Sequence, residues 1–240
     1  MTAFAIAPAP QASLAIQGSD TRFPVRRILC IGRNYAAHAR EMGKDPEREP
    51  PFFFMKPADT VIDDGVTLPY PPQTQDLQHE IELVVALARG GRDIDEADAL
   101  GLLFGAAVGL DMTRRDLQGE AKRLGRPWEI GKSFDASAPI AALRPIAAVP
   151  SVERGAIWLD VDGERRQRGD LAEQIWSVPQ LIAILSRTLR LEPGDLIMTG
   201  TPAGVAAVTP GQTITGGIDG IGSIRTPVGA PLAGDALRTP

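Results

Sequence analysis

Two glutamates and an aspartate are the residues of this chain best placed to do chemistry. Glu80 and Glu82 stand in His79-Glu80-Ile81-Glu82-Leu83-Val84-Val85, which alternates and then turns wholly apolar, the pattern of a strand. Residues two apart on a strand share a face, so both carboxylates point the same way. Asp111 ends a second apolar stretch, Val108-Gly109-Leu110. On a half-exposed strand the pair would simply face water. Among apolar neighbours, like charges on one face need a cation between them. A hard divalent ion with oxygen ligands answers that need. It should be magnesium, manganese or calcium rather than zinc, because no histidine or cysteine joins the set.

Other residues could serve such a centre. His38 and Glu41 are three apart on a short helical segment and share a face. Histidine takes a proton near neutral pH, and a neighbouring carboxylate orients the ring, so the pair suits general base work. Lys132 lies among small and apolar residues in Trp128-Glu129-Ile130-Gly131-Lys132-Ser133-Phe134. It either snorkels to solvent or supplies positive charge to a developing oxyanion. Arg115 and Gln118 follow Asp111 by four and seven, which places them on its side of the next helix.

The elements that must position these groups read as follows. Arg27 to Ile31 is a strand, followed by a helix from Asn34, as N-cap, to Met42, with Gly43 as its stop. Lys44 to Pro51 is a polar loop suited to closing over the helix as a lid. Phe52 to Pro57 is a buried strand, Asp93 to Leu103 a helix, and Thr113 to Leu124 a second helix. Ala156 to Val161 and Glu164 to Arg168 form a hairpin about Asp162-Gly163, a dipeptide that favours a tight primed turn. Ser177-Val178-Pro179 opens a helix to about Arg190, and Leu196 to Met198 is a strand. The glycines of Gly216 to Gly222 read as turns. Their spacing is not that of a dinucleotide-binding loop.

With 240 residues and 43% hydrophobic content, the chain can bury a core of its own. Its 25 glycines and 21 prolines favour a loop-rich β or α+β architecture over a helical one. A net charge of −5, with scattered basic residues, argues against nucleic acid as a partner. The single cysteine, Cys30, excludes a disulfide framework and reads as a small buried apolar residue. No apolar run is long enough to span a bilayer, and the N-terminus has no secretion signal, so a cytoplasmic protein is expected. Residues 1–24, rich in Ala and Pro, read as an N-terminal arm before a catalytic domain at 25–240.

Five segments, taken in order, resemble the signatures of the fumarylacetoacetate hydrolase superfamily. They are Gly32-Arg33-Asn34-Tyr35-Ala36-Ala37-His38-Ala39-Arg40-Glu41-Met42, His79-Glu80-Ile81-Glu82-Leu83, Leu110-Asp111-Met112-Thr113-Arg114-Arg115-Asp116-Leu117-Gln118, Gly131-Lys132-Ser133-Phe134-Asp135 and Thr199-Gly200-Thr201-Pro202-Ala203-Gly204-Val205. Within the superfamily the chain is most similar to short bacterial acylpyruvate and fumarylpyruvate hydrolases, the latter from gentisate breakdown. The resemblance implies a predominantly β α+β fold, a mixed β-roll, in a homodimer. It implies Mg²⁺ or Mn²⁺, or Ca²⁺ in a crystal, on Glu80, Glu82 and Asp111. It further implies a base formed by His38 and Glu41, an oxyanion role for Lys132, and substrate contacts from Arg115, Gln118 and Thr201. Nothing is implied for residues 1–24.

The implied substrate is a 2,4-diketo acid. Its carboxylate and 2-oxo group would meet the metal, leaving the distal carbonyl to a water held by His38 and Glu41. Lys132, with Gln118, would stabilise the alkoxide, and cleavage would release pyruvate as its enolate. A distal carboxylate, as in 3-fumarylpyruvate, would need a two-pronged contact from Arg33 or Arg115. Oxaloacetate decarboxylation and isomerisation of a 2-hydroxy-dienoate are rivals on the same scaffold, and a noncatalytic binding protein is a rival of another class. The presence of His38 and Glu41 favours the hydrolase over the decarboxylase.

Overall fold

Ile81–Leu87 is the strand around which the chain is organised, and all seven of its residues are buried. A strand covered on both faces reads as a continuous apolar run, which is why the alternation of Glu80 and Glu82 ends at Leu83. Ile81, Leu83, Val85 and Leu87 belong to one apolar cluster with Ile157, Leu159, Ile214 and Ile224. Val84 and Ala86 face the other way, into a second cluster with Leu14, Phe23, Cys30, Ile140 and Met198. Each fully buried aliphatic side chain contributes roughly 1.5–3 kcal/mol, so the two clusters anchor the strand from both sides.

The computed structural model describes residues 3–41 and 51–231, with residues 39–41 by backbone alone. The expected lid residues 44–50 therefore lie outside the described residues. Ile81–Leu87 pairs antiparallel with Leu103–Leu110 on one side and with Asp195–Met198 on the other. Arg27–Gly32 runs parallel to Asp195–Met198, and Phe52–Lys56 closes that edge. Beyond Leu103–Leu110 come Ala138–Ile140 and then Val61–Asp63, completing a mixed sheet that curls into a half-barrel. A second sheet of five strands, with Ala156–Val161 and Thr213–Ile218 inside it, packs on the first through the larger apolar cluster. This is the predominantly β, mixed β-roll architecture expected. No helix among the described residues is long and apolar enough to cross a membrane.

Local chemistry explains the smaller elements. Asp162 and Gly163 both adopt positive φ, 52° and 82°, as a primed hairpin turn requires. Helix Val178–Thr188 starts at Ser177, whose amide donates to Gln180 Oε1. Ser13–Ile16 and Ser19–Pro24 form a hairpin that sends Leu14 and Phe23 into the second cluster.

Three expectations are corrected. The first helix spans Ala36–Glu41, and Asn34 does not cap it. Its side chain donates to Trp176 O at 2.9 Å and Thr199 O at 2.8 Å, and accepts from the Trp176 amide. Asp93–Leu103 holds only one helical turn, Glu96–Ala99, and a short 3₁₀ turn before the next strand begins. Gly216 and Gly217 are strand residues paired with Leu159 and Trp158, and they are glycines because a side chain there would strike Ile81 and the Trp158 ring.

Candidate active site

The three carboxylates meet through strand register. Ile81 pairs with Leu110, and the Asp111 amide donates to Glu80 O at 2.8 Å, so the ladder extends one residue further and sets Asp111 opposite Glu80. Directly opposed residues share a face, as do Glu80 and Glu82 two apart. Glu82 lies opposite Gly109, where an added Cβ would sit 2.5 Å from Val84 Cγ2. Ligand oxygens of the three lie within 4.8 Å of one another. Their residues are only 5%, 2% and 1% exposed. Burying unpaired ions costs several kcal/mol each, so what surrounds them decides what the site can hold.

Two buried lysines and an arginine supply the positive charge. Lys132 Nζ is 2.8 Å from Glu80 Oε2 and 2.6 Å from Asp111 Oδ2. Lys56 Nζ is 3.0 Å from Asp111 Oδ1 and donates to Met112 O at 3.1 Å. Arg115 pairs with Glu80 Oε1 and donates to Gln78 Oε1 at 2.8 Å and Gln118 Oε1 at 2.7 Å. The Phe54 ring lies beneath Lys132 and the Phe134 ring beneath Lys56, 5.1 and 5.4 Å away, keeping both cations dry.

Charge is shared unequally among the carboxylates. Burial pushes Glu80 up, but Lys132 and Arg115 outweigh it and hold its carboxyl well below the usual range. Glu82 moves the opposite way. Burial and the charges of Asp111 and Glu80 raise it well above the usual range, against only the Gly200 amide and the more distant Lys132. Gly200 N donates to Glu82 Oε2 at 2.7 Å and adopts φ 98°, a conformation glycine supplies without strain. Asp111 Oδ1, in ion-pair range of Lys56, has no aligned hydrogen-bond donor. A buried oxygen with a spare lone pair and a carboxyl lacking a cation fit a hard divalent ion bound by Glu80, Glu82 and Asp111.

A cleft opens over these oxygens, lined by His38, Arg33, Gln118, Lys122, Trp128 and Thr201. His38 comes from helix Ala36–Glu41, is buried, and lines the cleft together with the carboxylates. Glu41 closes the same helix, but its side chain lies outside the described residues. Arg33 has a left-handed backbone, φ 58°, unusual for a residue with a side chain, and stands over the Phe52 ring. The cleft thus gathers His38, Lys132, Arg33, Arg115, Gln118 and Thr201 around the carboxylates. Arg115 is engaged through Nε and both terminal nitrogens, so a two-pronged contact from it to a distal carboxylate would require it to release Glu80 or Gln118.

Sequence reasoning missed four contributors. Lys56 ends the apolar run Phe52-Phe53-Phe54-Met55, the same signal that drew attention to Lys132. Lys122, on helix Arg115–Arg123, lines the cleft with its ammonium 5.7 Å from the Trp128 ring. Gln167 is fully buried in the otherwise polar strand Glu164–Asp170. His79, whose pKa burial lowers, lies behind Glu80 and pairs with Gln167 at 2.9 Å.

Residues 27–229 match the model of the fumarylacetoacetate (FAA) hydrolase C-terminal family. Among solved structures, the chain is similar to fumarylpyruvate hydrolase from Pseudomonas aeruginosa in complex with Mn²⁺ and pyruvate. The two are 55% identical with a TM-score of 0.92, and the match covers 95% of this chain and 100% of that one. The chain is also similar to the mitochondrial oxaloacetate tautomerase of Arabidopsis thaliana, 42% identical over 199 residues, covering 83% of this chain and 89% of that one. A mitochondrial oxaloacetate decarboxylase of Dictyostelium discoideum is 41% identical over 197 residues, covering 82% and 90%.

Proposed function

The chain belongs to the fumarylacetoacetate hydrolase C-terminal family, and from that premise we propose that it is a divalent-metal-dependent hydrolase cleaving a carbon–carbon bond of a 2,4-diketo acid, with 3-fumarylpyruvate as the favoured substrate. Enzymes of this family act on keto acids. The observation that carries the finer reading is 55% identity, over the whole of its chain, to a fumarylpyruvate hydrolase holding Mn²⁺ and pyruvate.

In this reading Glu80, Glu82 and Asp111 hold Mg²⁺ or Mn²⁺. When bound, the ion supplies Lewis acidity to the pyruvoyl end of the substrate and offsets the negative charge that develops there. His38, oriented by Glu41, takes a proton from water as the water oxygen bonds to the distal carbonyl carbon. The carbonyl electron pair moves onto oxygen, and Lys132 Nζ faces that charge with the one ammonium proton not directed at Glu80 or Asp111. Collapse breaks the bond to the methylene carbon, whose electron pair becomes the pyruvate enolate. The proton held by His38 can then reach that carbon, giving fumarate and pyruvate. Gln118 and Thr201 orient the substrate oxygens.

The oxaloacetate tautomerase and decarboxylase relatives support a second reading, in which the same residues handle an oxaloacetate enolate without an attacking water. Specificity constants for fumarylpyruvate, maleylpyruvate, acetylpyruvate and oxaloacetate, measured with Mn²⁺ and with Mg²⁺, separate the two. A preference for oxaloacetate over all three acylpyruvates overturns the hydrolase.

A further inference from the structure

Glu164–Asp170 is a strand of the second sheet, and its residues Glu164, Arg165, Arg166 and Arg168 are exposed while Gln167 is fully buried. A carboxamide can be buried only if its donors and acceptor all find partners. Gln167 Oε1 lies 3.2 Å from the Ile81 amide nitrogen, and Nε2 lies 2.8 Å from Pro202 O. Both partners are backbone groups of fixed polarity. Turning the amide over would set NH₂ against N–H and carbonyl oxygen against carbonyl oxygen, so a single orientation is allowed.

That orientation dictates the polarity of two side chains. Oxygen Oε1 also faces His79 Nδ1 at 2.9 Å, so Nδ1 must carry the proton. Nitrogen Nε2 also faces Thr201 Oγ1 at 2.8 Å, so that hydroxyl must accept. A threonine hydroxyl has one proton. With Gln167 donating to its oxygen, Thr201 keeps that proton to give elsewhere, and Thr201 lines the cleft beside Glu82 and His38. The carboxylate and oxo groups of a keto acid offer only acceptors there.

We infer that Gln167 is a positioning residue that fixes the direction of the Thr201 hydroxyl, so that Thr201 donates into the cleft to an oxygen of a bound keto acid. The inference rests on the keto-acid reading of the cleft. Gln167 itself touches no substrate. It acts through Thr201 from the second sheet, coupling that sheet to the site built on the first. His79, sharing Oε1 with the Ile81 amide, holds the carboxamide from behind.

Calorimetric binding of oxalate to the Mn²⁺-loaded protein tests the coupling. Thr201→Val should weaken oxalate by about 10–100-fold, the worth of a hydrogen bond to a charged group, while Thr201→Ser restores most of it. Gln167→Glu keeps the acceptor for Ile81 and His79 but sets an oxygen in place of the donor to both Thr201 and Pro202 O, drawing the hydroxyl back from the cleft. It should match Thr201→Val, and the double variant should be no weaker than Thr201→Val alone. Losses that add in the double variant, or full oxalate affinity in Gln167→Glu, overturn the inference. Nitrogen-15 NMR of wild-type imidazoles needs no variant at Gln167. His79, separated from His38 by the spectrum of His38→Asn, should be protonated on Nδ1 at neutral pH, and protonation on Nε2 alone overturns the inference whatever the cleft binds. Wild-type protein that binds no oxalate with Mn²⁺ present rejects the keto-acid reading and with it the ligand assigned to Thr201. The His79 result distinguishes that failure from a failure of the hydrogen-bond chain.

Discussion

Glu82 accepts the Gly200 amide at 2.7 Å, and this neutral donor is its closest partner, whereas Glu80 in the same cluster is held by Lys132 and Arg115. Two glutamates on one strand face are thereby driven in opposite directions, Glu80 down and Glu82 up. Without a divalent ion, Glu82 holds its proton well above the ordinary glutamate value of about 4.3.

Metal binding should therefore release a proton. Mn²⁺ or Mg²⁺ needs Glu82 ionised, so apparent affinity should fall as pH falls through the raised Glu82 pKa. The stability of the metal-free protein should run the other way. A carboxyl with a raised folded-state pKa contributes stability that is fully present below its unfolded value and is lost as pH rises through the folded value. Calorimetry in two buffers of different ionisation enthalpy measures the proton, and Glu82→Gln should abolish both its release and that part of the pH dependence. A wild-type titration with no proton exchange contradicts the charge distribution described.

His38 offers a separate test, because it faces the carboxylates from the cleft and belongs to a different element. His38→Ala should lower turnover by roughly 10²–10⁴-fold, the range for losing a general base, and should spare binding of Mn²⁺ and oxalate. Hydrolysis surviving above about a tenth of the wild-type rate, against that range, would place the base elsewhere.

How far the site was legible in the sequence follows from which contacts are local. The period-two placement of Glu80 and Glu82, and the acid ending the next apolar run, are local patterns that the strands realise directly. Asn34 was misleading because asparagine has two uses near a helix start. Its side chain can cap, or it can clamp a distant backbone, and the carbonyls of Trp176 and Thr199, from two separate segments, won. Gly216 and Gly217 read as turns because the packing that demands them comes from Ile81 and Trp158, far away in the chain. Lys56 and Gln167 find their partners at Asp111 and Thr201, and no local pattern announces either pairing.

Lys56 is the strongest stability prediction. Its ammonium is fully buried, pairs with Asp111 and donates to Met112 O, although burial still lowers its pKa. Removing Lys56 leaves Asp111 to Lys132 alone, so the cost should be about 1–3 kcal/mol, below that of a buried charge left with no partner. Lys56→Met, which keeps the volume, should lower the unfolding free energy of the metal-free protein by that amount in a urea titration. The loss should be smaller with saturating Mn²⁺, which gives Asp111 another cation. Equal losses with and without the ion would separate Lys56 from the metal site.

The distal carboxylate of fumarylpyruvate needs a cation at the end of the cleft away from the metal ligands. Arg115 is held by Glu80, Gln78 and Gln118, and Arg33 and Lys122 line the same cleft with Trp128. Lys122 lies one helical turn beyond Gln118 on Arg115–Arg123, so the same helix serves the inner and outer ends of the cleft. Lys122→Met should raise KM for fumarylpyruvate by roughly 10-fold or more, as expected for a charged hydrogen bond, with little change in kcat. Acetylpyruvate has no distal carboxylate, so its KM should stay near the wild-type value. A change confined to the dianionic substrate identifies Lys122 as its counter-charge. Equal effects on both substrates would mean that Lys122 supports the helix rather than the ligand, and the distal carboxylate would fall to Arg33.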